Sequence, residues 1–154
     1  MPLAQWVRDM PETPQSKEGK PPPGCKAILL CEQTTVDAGT GKVSLIGLIR
    51  TLTLAEFPGR SERMKLFLQL VDGIGEYGLT VEVHDLAEGR VIARLKGPRI
   101  SFLSRPATHQ LFLTMPALPI PQPGKYDVIV LGNGTEIDRQ QFRARHPREE
   151  GEIE

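Results

Sequence analysis

From residue 25 to residue 145, short apolar runs alternate with clusters of glycine, proline and acidic turn residues, and no long run repeats at helical spacing. The runs are CKAILLCEQTTV from Cys25, KVSLIGLIRTLTL over 42–54, RMKLFLQLV over 63–71 and GLTVEVHDL over 78–86. RVIARLKG, RISFLS, THQLFLTM, KYDVIVL and TEIDRQQFRAR follow. In the fourth run Leu79, Val81 and Val83 fall on one side, and Thr80, Glu82 and His84 on the other. Leu111, Leu113 and Met115 share a side in the same way. Each run therefore predicts a β-strand. Asn133-Gly134 between the last two predicts a type I′ hairpin, whose two central residues need positive φ. Pro58, Pro98, Pro106, Pro116, Pro119, Pro121 and Pro123 lie in the gaps, since proline cannot donate to a central ladder. Eight or so such strands, with no repeat, predict an all-β fold: a two-layer antiparallel β-sandwich.

The flanks lack this pattern. Residues 1–24 carry six prolines, end in KPPPG and predict a flexible or extended arm. Trp6, the only tryptophan, lies there beside Leu3 and Val7, either leaning on the domain or docking a partner. Residues 146–154 predict a charged tail, leaving 25–145 as the sandwich domain.

Composition narrows the function more than it names it. Hydrophobic residues make up 39% of 154, enough for one packed core. Lysine plus arginine equals aspartate plus glutamate at 19 each, so no basic surplus exists to displace counterions, and no nucleic acid is expected as partner. No apolar run is long enough for a membrane span, and the start has no secretory pattern. Cys25 and Cys31 stand six residues apart in one strand, roughly 20 Å at about 3.3 Å each, too far for a disulfide. Their even spacing predicts one shared face. Two reduced, buried thiols suit a cytoplasmic protein.

The stretch VDAGTGKVSLIG raises the question of a phosphate-cradling loop. That motif needs glycine five residues before Gly41 and Ser or Thr after Lys42, and must open a helix. Here those positions hold Val36 and Val43, and a β-branched run follows, so DAGTGK predicts a hairpin loop. No cofactor and no metal site is expected. His84 sits on a polar strand face beside Glu82, His109 opens a strand with a backbone partner, and His146 belongs to the tail. No G-x-S-x-G occurs, and Asp72 with Glu76 sits in the hairpin-like VDGIGEYG, so no catalytic residue is assigned. The last strand offers the candidate partner-binding site. Arg139, Gln141, Arg143 and Arg145 alternate onto one side, opposite Phe142 and Ala144, and their guanidinium groups can grip carboxylates bidentately. Trp6 is the second candidate. Reversing the strip's charges is expected to weaken partner capture and leave the melting temperature nearly unchanged.

PGKYDVIVLGNGTEIDRQQFRAR resembles the last two strands of immunoglobulin-like and fibronectin-type sandwiches. Tyr126 then looks like the corner tyrosine whose hydroxyl ties its strand to a neighbouring connection. The Cys…Trp…Cys order of antibody domains is absent. GKVSLIGLIRTLTLAEFP, MKLFLQLVDGIGEY and VEVHDLAEGRVIA also resemble a family of small uncharacterised bacterial proteins. That resemblance covers roughly 25–145 and implies the sandwich and a bacterial origin, with no activity or site residues. The expected function is a non-catalytic interaction module binding another protein, or its own copy, through an edge strand or the arginine strip. The alternatives are a small-ligand or carbohydrate-binding module, for which 5% aromatics is scant material, or an enzyme with a dispersed site.

Overall fold

A computed structural model describes residues 20–103 and 107–147. They form eleven strands: β1 (Gly24–Val36), β2 (Val43–Leu48), β3 (Thr51–Thr53), β4 (Gly59–Arg60), β5 (Met64–Val71) and β6 (Gly75–Asp85), then β7 (Arg90–Phe102), β8 (Thr108–Met115), β9 (Pro119–Ile120), β10 (Gly124–Gly132) and β11 (Thr135–Arg145). One sheet has the order β2-β1-β5-β8 and the other β3-β11-β10-β6-β7, with β4 and β9 as a short ribbon. All pairings are antiparallel except β3 with β11.

The core lies where the inner rows meet. In the four-stranded sheet, register sets Leu30, Leu66 and Leu113 in one row and Ile28, Leu68 and Leu111 in the next. Leu79, Val81 and Val83 of β6 and Tyr126, Val128 and Val130 of β10 face them, nearly or wholly excluded from solvent. Hydrophobic burial across this gap is the main driving force for joining the sheets.

The turns follow the residues that form them. Asn133 and Gly134 take positive φ of 52° and 86°, as the I′ hairpin requires. The Asn133 side chain also accepts from the Gly78 N–H at 2.9 Å. In the DAGTGK loop, Asp37 Oδ1 accepts from the Gly39 and Thr40 amides at 2.7 and 3.0 Å, and the Asp37 N–H donates to the Lys42 carbonyl. Strand β2, not a helix, follows Lys42, so the loop is a hairpin bend. Tyr126 is the corner tyrosine: its hydroxyl donates to the Gln122 carbonyl at 2.5 Å, and its ring stacks on Phe142 at 5.3 Å. The protein is an immunoglobulin-like, all-β two-layer sandwich.

Three local expectations need correction. The run 42–54 is two strands in different sheets, because the chain crosses between layers at Ile49 and Arg50. RVIARLKG and RISFLS are one strand, β7, with Pro98 inside it; that is tolerated because β7 is an edge strand and its register slips beside Gly97. Cys25 and Cys31 do not share a face. Leu70 opposes Cys25 and Gln69 opposes Ala27, so Lys26 has no counterpart, and this bulge inverts the strand's phase. Contacts also reach residues just before 25: the Pro21 carbonyl accepts from the Tyr77 hydroxyl at 2.8 Å, and Lys20 Nζ lies 4.2 Å from that ring.

Candidate functional site

The two outer faces of the sandwich differ in kind. On the five-stranded sheet, register places Arg94, Glu82, Ile129 and Arg139 in one row, and His84, Asp127 and Gln141 in the next. These charges meet each other. Glu82 takes Arg94 Nη2 at 2.5 Å on one carboxylate oxygen and His84 Nε2 at 2.8 Å on the other. Arg139 Nη1 donates to Asp127 at 2.8 Å, while its Nη2 and Nε hold Glu136 at 2.6 and 2.9 Å. This face is a closed polar lattice, the ordinary solvent side of an antiparallel sheet.

The lattice changes the meaning of the arginine strip. Arg139, Gln141 and Arg143 do point outward, with Phe142 and Ala144 buried between them, as the alternation predicts. The Arg139 guanidinium is already committed to two carboxylates, of which Asp127 is buried. Arg143 remains exposed between Lys125 and Thr51 in the register. Arg145 Nε donates to the His146 carbonyl at 3.2 Å. Trp6 lies outside the described residues.

Arg139→Ala is therefore expected to lower stability, against the expectation that reversing the strip's charges leaves the melting temperature nearly unchanged. With Asp127 losing its partner but Arg139 itself half exposed, the loss should be about 1–2 kcal/mol at neutral pH. Hydrogen bonds from Arg139 hold the Glu136 carboxyl below its usual range. A group depressed on folding contributes fully above its unfolded pKa, about 4.3, and that contribution fades as pH falls through and below it. Thermal melts should thus show the gap between wild type and Arg139→Ala narrowing from pH 7 to pH 3. An unchanged gap would place the stabilisation elsewhere.

The outer face of the four-stranded sheet is the unusual one. Its rows carry Leu48 and Cys31, then Leu29, Phe67 and Phe112, with Ile46 beyond, and none of these belongs to the buried core cluster between the sheets. Phe67 and Phe112 pack at 5.7 Å, while Ile46 and Leu48 remain 47% and 58% exposed. Lys65 is the charge set among them, its Nζ donating to Thr114 at 2.8 Å. The signal for this face was in the sequence. AILLC and the LFL of LFLQL and LFLTM break strict alternation, so Leu29, Cys31, Phe67 and Phe112 join the second rows, which otherwise carry Lys65, Gln69, Gln110 and Thr114. Adjacent strands bring those second rows together.

Neither thiol is set up as a nucleophile. Burial, then the Asp138 carboxylate beside it, pushes the Cys25 thiol up to about 11. Burial also raises Cys31. Both stay protonated at neutral pH, and the thiolate is the reactive form. His84 turns outward to Glu82, while the buried Asp85 accepts from the Ala87 N–H and Gln122 Nε2, so the two do not converge. His109 Nε2 donates to the Ser101 carbonyl at 2.7 Å, as expected. Among the described residues no group of three His, Cys, Asp or Glu side chains could hold a metal ion, and no helix is long and apolar enough to cross a membrane. A cleft of about 630 Å³ opens beside Ile49, Leu52 and Met64, rimmed by Glu32, Arg60 and Arg63. Arg60 Nη1 there donates to the Ala117 carbonyl at 3.1 Å, a tie that positions the neighbouring loop.

A model of a family of unknown function, DUF6941, matches residues 26–145. No curated protein matches the sequence. Among solved structures, an immunoglobulin-like protein (PA1606) from Pseudomonas aeruginosa is similar at 10% identity, over 82% of this chain and 98% of its own, with a TM-score of 0.39. An alkylpurine DNA glycosylase, AlkC, from Pseudomonas fluorescens, bound to DNA containing an abasic site analog, is similar at 18% identity and a TM-score of 0.46. That match covers 62% of this chain, which spans only 27% of the glycosylase. A beta-glucosidase from Listeria innocua in complex with isofagomine is similar at 13% identity and a TM-score of 0.38, over 77% of this chain and 16% of that one.

Proposed function

We propose, for a chain that belongs to this DUF6941 family of unknown function, a non-catalytic interaction module that docks a protein partner on the outer face of its four-stranded sheet. The observation that carries this reading is the group of outward apolar side chains Leu29, Phe112, Ile46 and Leu48 around the nearly buried Phe67. An antiparallel sheet with one face on the core ordinarily turns polar residues to water on the other. The opposite face of this sandwich does so, whereas here Leu29, Phe112, Ile46 and Leu48 share the face with Lys65, Gln69, Gln110 and Thr114. Contiguous exposed apolar surface marks an interaction site in a soluble domain. The thiols held protonated and the outward-turned His84 favour a binding role over nucleophilic catalysis.

Ile46 and Leu48 are the side chains to change, because they are exposed and their removal opens no cavity. Ile46→Lys with Leu48→Lys is expected to abolish retention of the protein that the wild type captures from host extract. Stability should stay within about 0.5 kcal/mol of wild type, as for surface positions generally. A captured protein retained equally well by the double variant would sink the docking face. Binding through the arginine strip would then be judged by Arg143→Glu, which leaves the Arg139 lattice intact.

A further inference from the structure

Sandwiches must manage the strands at their sheet edges, where unpaired backbone groups template pairing with another chain. Three of the four edges here carry a guard. β3 is only three residues long. β7 carries Arg90, Arg94, Lys96, Arg99 and the in-strand Pro98. β2 carries Gly47 at a φ of +70°, and the Glu32 side chain lies over that glycine. β8 has none of these devices. Its eight residues, THQLFLTM, include no proline, lysine, arginine, aspartate or glutamate, and they pair with β5 without a single register shift.

Two further observations show that the β8 edge is unfinished among the described residues. Leu111 and Leu113 stand on the inner row, yet they are only half-buried, whereas their β5 partners Leu68 and Leu66 are fully excluded from solvent. Beside them a cavity of about 300 Å³ opens between β8 and β7, with Val81, Leu95, Leu113 and Pro98 in its walls. An added strand along β8 would satisfy its free N–H and C=O groups and bury both leucines.

The chemistry of β8 selects the occupant. Two-fold antiparallel pairing keeps the inner rows of both copies on one side only when it is centred on a residue. Centred on Phe112, it sets Phe112 against Phe112 of the second copy, Leu111 against Leu113, Gln110 against Thr114 and His109 against Met115. Leucine then meets leucine in the interior with His109 beside Met115 at the ends of that row, the polar pair lies outside, and the Phe67–Phe112 contact extends into an aromatic row across both molecules. Centring on Leu111 would instead oppose Gln110 and Phe112. We infer that two copies of this chain join through β8, antiparallel and centred on Phe112, into one continuous eight-stranded sheet. The inference deepens the interaction reading by naming a second copy as a partner, and the two-fold sheet presents two docking faces side by side.

The register makes a sharp test. Light scattering on the full chain should give about 34 kDa, twice its 17.1 kDa. Phe112→Cys should cross-link to that mass under mild oxidation, and Gln110→Cys should not, because residue 110 of each copy faces residue 114 of the other. Gln110→Lys with Thr114→Lys should give a folded monomer, and Gln110→Lys with Thr114→Glu should restore the dimer. A wild-type monomer at the highest concentration attained would overturn the inference, as would a dimer that persists in the double-lysine variant. A monomer that dimerises only after deletion of residues 1–19 would assign the edge to the chain's own arm and overturn it as well. A monomer that still captures its partner through Ile46 and Leu48 leaves the docking face standing; a dimer whose capture ignores those residues removes the docking face alone.

Discussion

Tyr126→Phe should lower stability by about 2 kcal/mol, although it deletes one oxygen atom. The hydroxyl donates to the Gln122 carbonyl and receives the Gln122 N–H at 3.3 Å, so one substitution strands two backbone groups of the segment entering β10. The ring is fully buried and Gln122 half-buried, so the stranded groups regain water only in part. Gln122 is also the residue whose side chain reaches buried Asp85 at the β6–β7 turn. Loosening it should therefore be felt in both connections at that end of the sandwich. For a domain of this size the expected drop in melting temperature is about 6–10 °C. Tyr126→Ala, which also empties the space stacked on Phe142, should lose about 4–5 kcal/mol. A Tyr126→Phe variant that melts with wild type would show that the corner hydrogen bond contributes nothing.

Gly73→Ala should be at least as damaging as Tyr126→Phe, for a steric reason. A methyl group at Gly73 would stand 2.2 Å from Cδ1 and 2.4 Å from Cε1 of Phe102. The ring cannot step aside: it meets Tyr77 edge-on at 5.7 Å and His109 at 4.7 Å. Tyr77 is in turn held by hydrogen bonds to the Ile74 N–H and the Pro21 carbonyl. Overpacking of this kind typically destabilises by about 1–3 kcal/mol, and the rigid surroundings put this site at about 3. Urea denaturation should show the midpoint falling, while Gly39→Ala, whose added carbon would lie 3.4 Å from Asp37 Oδ1 in an exposed loop, should barely move it. Equal midpoints for the two variants would mean that Phe102 has room to move.

The sandwich itself was readable from residue order, and particular positions show why. The alternation in GLTVEVHDL sends Leu79, Val81 and Val83 inward, and Asn133-Gly134 makes the turn its backbone preference demands. Tyr126 took up its corner role because the proline-glycine turn upstream returns the chain to within hydrogen-bonding distance. The candidate site was only partly readable. Arg139, Gln141 and Arg143 line up as the period of two requires, but Asp127, which claims the Arg139 guanidinium, lies twelve residues earlier on the neighbouring strand. The outer apolar group left its trace in AILLC and two LFL triplets, and reading each alone hid the fact that they lie side by side.

Residue order by itself determined the properties that depend on near neighbours: where strands form, where they turn, and which side chains alternate together along them. Tertiary structure alone decided three further things: the phase of β1, inverted by an unpaired Lys26; the partition of one apolar run between β2 and β3; and which second rows were left facing water. The physical reason is that strand propensity and alternation act over a few residues, whereas register and sheet order are set by contacts between segments far apart in the chain.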